Sequence, residues 1–340
     1  MGDGIEQYEV VVGLEIHIQL NTATKAFCGD PNRFGAAPNT LTSAISLGHP
    51  GTLPRANAKQ VEYAAKLGLA LGCSINQQSY FDRKNYFYPD LPKGYQVTQD
   101  NAPICLGGSI DIEVNGQTKT IRLTRIHMEE DAGKSIHDIS DKATMIDLNR
   151  AGVPLLEVVT EPDLRSGEEA YALLNEFRKL VRYLGISDGN LEEGSVRCDC
   201  NISIRPFGQE TYGTRCEIKN VNSMRNAQKA IEYESKRQIR LIESGVAIEQ
   251  QTRAFNAVKS DTETILRTKE DAHDYRYFPE PDLPIIHISD EQLSTWKTEQ
   301  PALPWELEAK LINQHQLSRK EAKTLTKLGS SVRVLASFRL

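Results

Sequence analysis

No stretch of this chain approaches 18 consecutive apolar residues, and its opening Met1-Gly2-Asp3-Gly4-Ile5-Glu6-Gln7 has neither a basic nor an apolar region. Neither a membrane span nor a secretory leader is predicted, so the chain is expected in the cytoplasm, with no membrane partner. An excess of positive charge is also missing. Lys and Arg number 40 against 46 Asp and Glu, a net charge of -6, which excludes a globally basic nucleic-acid binder and leaves room only for a local basic patch. The 6 cysteines follow no regular spacing over 340 residues, which suits small buried or half-buried thiols better than a disulfide framework. The closest pair, Cys198-Asp199-Cys200, reads as two core thiols on one strand face. Glycine-rich phosphate loops are lacking as well. Gly133-Lys134-Ser135 resembles the end of a P-loop, but the first glycine of that motif would fall on Met128, and no G-x-G-x-x-G follows a strand.

What is present is alternation. In Leu14-Glu15-Ile16-His17-Ile18-Gln19-Leu20 the apolar residues take one strand face and Glu15, His17 and Gln19 the other. Val196, Cys198, Cys200, Ile202 and Ile204 oppose Ser195, Arg197, Asp199, Asn201, Ser203 and Arg205 in the same way, and Arg215, Glu217 and Lys219 share a face. Helices fill the intervals. Ser166-Gly167-Glu168-Glu169 is a capping box, followed by Leu173, Leu174, Phe177, Leu180, Val181 and Leu184, with Gly185 as the stop. Residues 58–72 and 223–244 read as helices too. Strands with one apolar and one charged side, covered by helices on the apolar side, predict an α+β fold whose open polar face is a catalytic floor. Pro279, Pro281, Pro284, Pro301 and Pro304 place a domain boundary near residue 292, between a domain of residues 1–292 and the start of a helical domain at 293–340. There Ser318-Arg319-Lys320-Glu321 opens a helix that Gly329 closes.

His127-Met128-Glu129-Glu130-Asp131 follows a predicted strand, Ile121 to Ile126, and packs three carboxylates together. By itself it reads as a solvated acidic turn. Set beside Glu15 and His17 it reads differently: two carboxylates about 4 Å apart repel by roughly 4 kcal/mol at an effective dielectric near 20, so converging acids need a cation or protons. Oxygen ligands with one imidazole suit Mg²⁺ or Mn²⁺. Regular pleating would point Glu129 with His127 and Glu130 with Met128, so which glutamate meets an ion stays open, and His127 reads as a structural partner more than a ligand. If nucleotide binds, its phosphates need metal and basic side chains, for which Arg83, Lys84, Lys134, Arg150, Arg197, Arg205 and Lys219 are candidates. Phe81 to Asp90, with Tyr86 at its centre, interleaves aromatics and ions as a loop that stacks on a base or ribose does.

Several ordered segments carry a resemblance. Val12 to His17, Phe81 to Lys93, His127 to Ser135, Asp147-Leu148-Asn149-Arg150, Glu161-Pro162-Asp163, Glu192-Glu193-Gly194-Ser195, Glu217-Ile218-Lys219-Asn220 and Asp274 to Asp282 resemble the signature of the B-subunit family of aspartyl/glutamyl-tRNA amidotransferases, over roughly residues 8–340. The resemblance implies a fold related to glutamine synthetase and a heterotrimer completed by an amidase and a small third protein. It implies ATP-dependent amidation of Glu-tRNA(Gln) or Asp-tRNA(Asn) through an acyl phosphate, with ammonia from the amidase. Carried over by motif, Glu15, His17, Glu129 and Glu130 hold Mg²⁺, and Glu15, Glu130 and Lys84 form the catalytic set with Lys84 close to ATP. Arg83, Tyr86, Arg197 and Lys219 join the nucleotide side, together with Glu217, which is added from strand geometry. Relatives carry a zinc knuckle where this chain reads Cys28-Gly29-Asp30 and Ser43-Ala44-Ile45-Ser46, one thiol of four, so no zinc is expected. An ATP-dependent ligase acting on a free amino acid, and a non-catalytic scaffold that presents tRNA, are the competing readings.

Overall fold

The computed structural model describes residues 7–137, 139–190, 194–268 and 274–327. Glu192, Glu193 and the helix stop at Gly329 lie outside the described residues. In chain order the first half holds β1 (Tyr8–Gln19), α1 (Ala58–Ala70), β2 (Ser74–Ile75), β3 (Gln78–Ser79), β4 (Asp82–Asn85), β5 (Tyr95–Thr98), β6 (Cys105–Leu106), β7 (Ser109–Val114), β8 (Gln117–Glu130), β9 (Lys134–Ile136), β10 (Met145–Asp147) and β11 (Pro154–Thr160). The second half holds α2 (Gly167–Tyr183), β12 (Val196–Pro206), β13 (Cys216–Val221), α3 (Met224–Glu243), β14 (Gln251–Asn256), β15 (Asp261–Thr268), β16 (Phe278–Pro279), β17 (Ile286–His287), α4 (Asp290–Thr298), α5 (Pro304–His315) and α6 (Arg319–Lys327).

One large mixed sheet runs β15-β14-β13-β12-β1-β11-β8-β6-β2, with β7 paired to β8. Only β13 and β14 are parallel among its pairs, so the chain makes the α+β arrangement that alternation predicts. Leu14, Ile16 and Ile18 are fully buried on the helix side with Cys198, Cys200, Ile202, Leu156, Val158, Ile126 and Met128. Burying each such large aliphatic contributes about 2 kcal/mol. A one-residue slip of β1 would bring Glu15 and His17 into this layer, so the apolar face fixes the register that places the polar face.

Local chemistry sets the helices. Asn57 caps α1 by accepting from the Lys59 amide, Ser166 caps α2 through the Glu169 amide, and Ser223 caps α3 through the Asn226 amide. The box at α2 closes one residue early: the Glu169 carboxylate accepts from the Arg165 amide at 2.6 Å. Gly185, at φ +69°, takes the left-handed conformation that ends α2. Ser318 and Glu321 cap α6 reciprocally. Residue 292 falls in the first turn of α4, opened by a full capping box at Ser289. No helix among the described residues is long and apolar enough to cross a membrane.

β8 departs from the sequence reading. It does not end at Ile126 but runs to Glu130, paired with β11 as far as Pro154 opposite Glu130. The acidic run is not a solvated turn; His127, Glu129, Glu130 and Asp131 are all buried. The physical reason is cover from outside the sheet: the β4–β5 pair lies over this end of β8 and supplies donors to its carboxylates.

Candidate active site

Strand register lines up polar side chains across four strands. Arg197, His17, Glu157 and His127 stand opposite one another on β12, β1, β11 and β8, and Asp199 and Glu15 head the next row, two residues along. The side-chain period of 2 keeps both rows on the face away from the helices.

The first row holds a compact ionic group. Nε2 of His17 and Nε2 of His127 lie 3.2 and 3.3 Å from the same Glu157 oxygen, and the His127 nitrogen is also 3.2 Å from Glu129 Oε1. Glu129 accepts from the Thr98 hydroxyl at 2.7 Å and from Gln96 Nε2 at 3.3 Å, both on β5. Burial acts most strongly on His127 and disfavours its charge, but Glu157 and Glu129 outweigh it and raise the pKa to about 9. His17 moves up against burial for the same reason, through Glu157. Burial presses on Glu129 and Glu157, with repulsion from Glu157 added at Glu129, and the imidazoles still hold both below the usual carboxylate range. One ligand atom each from His17, Glu129 and Glu157 falls within 4.8 Å of the others. An imidazole and two carboxylates, already oriented and bridged by no lysine or arginine among the described residues, fit a hard divalent cation that takes the place of the imidazole protons.

A second group, Glu15, Asp199 and Glu217, also converges within 4.8 Å. Here a cation of the protein's own is present: Lys219 Nζ sits 2.7 Å from Asp199 and 2.9 Å from Glu217. A bulge positions it. Between Ile218 and Val221 β13 carries one residue more than β12 opposite, and Asn220 takes φ +64° to absorb it. Burial first, then Glu157, Glu217 and Asp199, push the Glu15 carboxyl above its ordinary value, although Asn201 donates to it at 2.9 Å.

The sequence-level assignments divide accordingly. His17 and Glu129 do come together, but with Glu157 rather than with Glu15 and Glu130. Glu15 belongs to the second group with Glu217. Glu130, one residue beyond Glu129, faces the other way: its carboxylate pairs with Lys93 and accepts from the Val97 amide at 3.0 Å, beside a cavity of about 110 Å³ lined by Phe27, Cys28 and Gly152. From Arg125 to Glu130 the pairing of β8 with β11 is regular, so the pleat there sends the two glutamates to opposite faces, away from one shared ion. Lys84, on β4, stands over the Tyr275 ring, and the charges of Glu129 and Glu157 raise its pKa against burial. Tyr86 packs edge-on against Tyr275, and burial lifts its phenol to about 12. Arg83 is committed elsewhere, to Glu280 through two bonds and to Asp282, stacked on Tyr95. Arg197 is held by Asp131 at 2.9 Å. At the positions of the knuckle, Asp30 accepts from the Ser46 hydroxyl at 2.6 Å and the Ser43 amide at 2.9 Å, so this donor set does not suit zinc.

Residues 10–294 match the family model described as the GatB/GatE catalytic domain. This chain belongs to that family. Among its relatives, one from Oleidesulfovibrio alaskensis is 53% identical over 332 residues, 98% of this chain and 69% of the relative. One from Desulfotalea psychrophila is 54% identical over the same span, and one from Chlorobium chlorochromatii is 57% identical over 87% of this chain and 62% of the relative. All three are named as the B subunit of an aspartyl/glutamyl-tRNA(Asn/Gln) amidotransferase. The chain spans about two thirds of the length of these relatives. Within this GatB/GatE domain, Glu157 and Asp199 are the site residues that sequence reasoning passed over. Glu157 did leave a signal, as the lone charge in Pro154-Leu155-Leu156-Glu157-Val158-Val159.

Proposed function

We propose that this chain is the carboxyl-activating component of a tRNA-dependent amidotransferase. It takes Glu-tRNA(Gln) or Asp-tRNA(Asn), phosphorylates the side-chain carboxyl with ATP, and lets ammonia from a glutaminase partner displace phosphate. The observation that carries the reading is the pair of acidic groups, His17/Glu129/Glu157 and Glu15/Asp199/Glu217, side by side on the open polar face of a chain of this family. Mg²⁺, or Mn²⁺ in its place, would lie in these groups and supply charge neutralisation for ATP and for the transferring phosphoryl group.

The chain's own residues do the rest. Phosphoryl transfer to a carboxylate asks a protein for positioning and electrostatic stabilisation more than for covalent chemistry. Lys84, its ammonium over the Tyr275 ring and within the field of Glu129 and Glu157, supplies positive charge to the first group. Lys219 balances the second group. Asp131 receives Arg197 and, at 2.7 Å, the Gln19 amide, which fixes the near end of the floor. The β4–β5 cover excludes water from Glu129, and an acyl phosphate requires the same exclusion. In this reading residues 1–292 form the activating domain, residues from 293 on, within α4, begin a helical domain directed at tRNA, the partners are the amidase and the small third protein of the heterotrimer, and the complex works in the cytoplasm.

The test is amidation of each mischarged tRNA by the chain assembled with both of those partners, with and without ATP. The expected result is ATP-dependent product that Glu157→Gln abolishes while glutamine hydrolysis by the amidase continues. Amidation that proceeds without ATP would favour a scaffold that only presents tRNA. Amidation of free glutamate in the absence of tRNA would favour a free-amino-acid ligase. Either result overturns the reading.

A further inference from the structure

Most cations that face the floor are already paired with a carboxylate. Arg197 is bound to Asp131, Lys219 to Asp199 and Glu217, and Arg205 to Glu9 and the Glu210 carbonyl. Arg125 differs. It stands on β8 in the row of Asp199, Glu15 and Val159, on the same face as His127 and Glu129. His127 is one pleat repeat away, about 7 Å, and Glu15 two strands away, about 10 Å, both within reach of a long side chain or of one bound ligand. The guanidinium is about one third exposed, donates once, to the Asp100 carbonyl at 3.2 Å, and meets no carboxylate closer than the 4.0 Å to Asp100 among the described residues. A guanidinium offers five N–H donors. Nε and Nη2, the pair that matches two oxygens of one phosphoryl group, make no hydrogen bond to the described residues.

We propose that Arg125 is a phosphoryl clamp, holding two non-bridging oxygens of the group that passes from ATP to the carboxyl through its Nε–H and Nη2–H fork. This rests on the carboxyl-activation reading and extends it to a residue outside both acidic groups. In the step concerned, a lone pair of the substrate carboxylate forms the new oxygen–phosphorus bond. The bond from the γ-phosphorus to the β,γ-bridging oxygen breaks, and its electron pair leaves with ADP; no proton moves. Charge spreads over the non-bridging oxygens as the transferring group loosens, and a fork fixed by Asp100 on one side meets that charge without reorganising. ADP lacks the group that the clamp holds, so Arg125 discriminates between nucleotides instead of merely attracting them.

The experiment compares ADP with the non-hydrolysable triphosphate analogue AMP-PNP, each with Mg²⁺, by calorimetry on the chain assembled with its two partner proteins. Arg125→Ala is expected to weaken AMP-PNP by about ten-fold or more and ADP by less than about two-fold, the loss of one charged bidentate contact. Arg125→Lys keeps the charge but not the fork and is expected to recover only part of the difference. Arg125→Gln carries the same comparison if the alanine variant does not fold. Equal weakening of both nucleotides, or of neither, overturns the clamp. A wild-type complex that binds neither nucleotide overturns the carboxyl-activation reading, and the clamp with it.

Discussion

Glu129 and Glu130 are neighbours in the chain and belong to different parts of the molecule. Glu129 lies on the floor among His127, Thr98 and Gln96, within 4.8 Å of ligand atoms from His17 and Glu157. Glu130 points behind it, to Lys93 and the Val97 amide. Both are almost wholly buried, so burial does not separate them; partners do. One carboxylate is surrounded by groups that could share it with an ion, and the other is neutralised by a lysine of the chain. Acidic residues that look equivalent in a motif are divided by the parity of a strand.

The largest break in that comparison comes from Glu129→Ala. Removal of a ligand from the first group is expected to weaken Mn²⁺ binding by about 100-fold or more, read by calorimetry, with Glu157→Ala equal to it. Thr98→Ala and Gln96→Ala remove only supports of Glu129, and each is expected to cost about ten-fold in the same measurement. Glu130→Ala sharpens the contrast from the other side. Mn²⁺ affinity should stay within about two-fold, while loss of the partner of Lys93 lowers unfolding stability by about 3 kcal/mol in urea titrations. A metal-binding defect as large as that of Glu129→Ala would erase the distinction.

A smaller effect separates the imidazoles. His127 has its pKa raised to about 9 in the folded, metal-free chain, against 6.5 in an unfolded one. Its contribution is therefore complete below pH 6.5 and is lost as pH rises through about 9. The metal-free chain should lose on the order of 3 kcal/mol or less across that window, and His127→Gln should flatten the slope of melting temperature against pH. Glu129 and Glu157, held low, work in the opposite sense, and their contribution disappears as pH falls below the ordinary carboxylate range.

Much of this is legible in the sequence. The alternation in Leu14 to Leu20 and in Ser195 to Arg205 places Glu15, His17, Arg197 and Asp199 on the correct face, because one buried side fixes the other. Capping residues at Ser166 and Ser318 mark helix starts. Pairing is not legible. Which strand lies beside β1, and in what register, is set by contacts more than 100 residues apart, as in His17 opposite Glu157, and no local pattern encodes that. Hence Glu157 goes unassigned and Glu15 is grouped with His17 instead of with Asp199 and Glu217. The end of β8 is misplaced for a related reason: a run of charge signals solvent unless another element supplies its hydrogen bonds, and β5 is distant in sequence.

Gln60 joins the two sides of the sheet. From the core-facing side of α1 its side-chain amide donates to the backbone carbonyls of Glu129, at 2.8 Å, and Leu155, at 3.2 Å. The strand that carries Glu129 and the strand that carries Glu157 are thereby riveted at one point to a helix that never meets the floor. Any shift of α1 along the sheet is transmitted to the spacing of these two carboxylates, so the tolerance of an ion-binding row is set in part by packing on the opposite side of the protein.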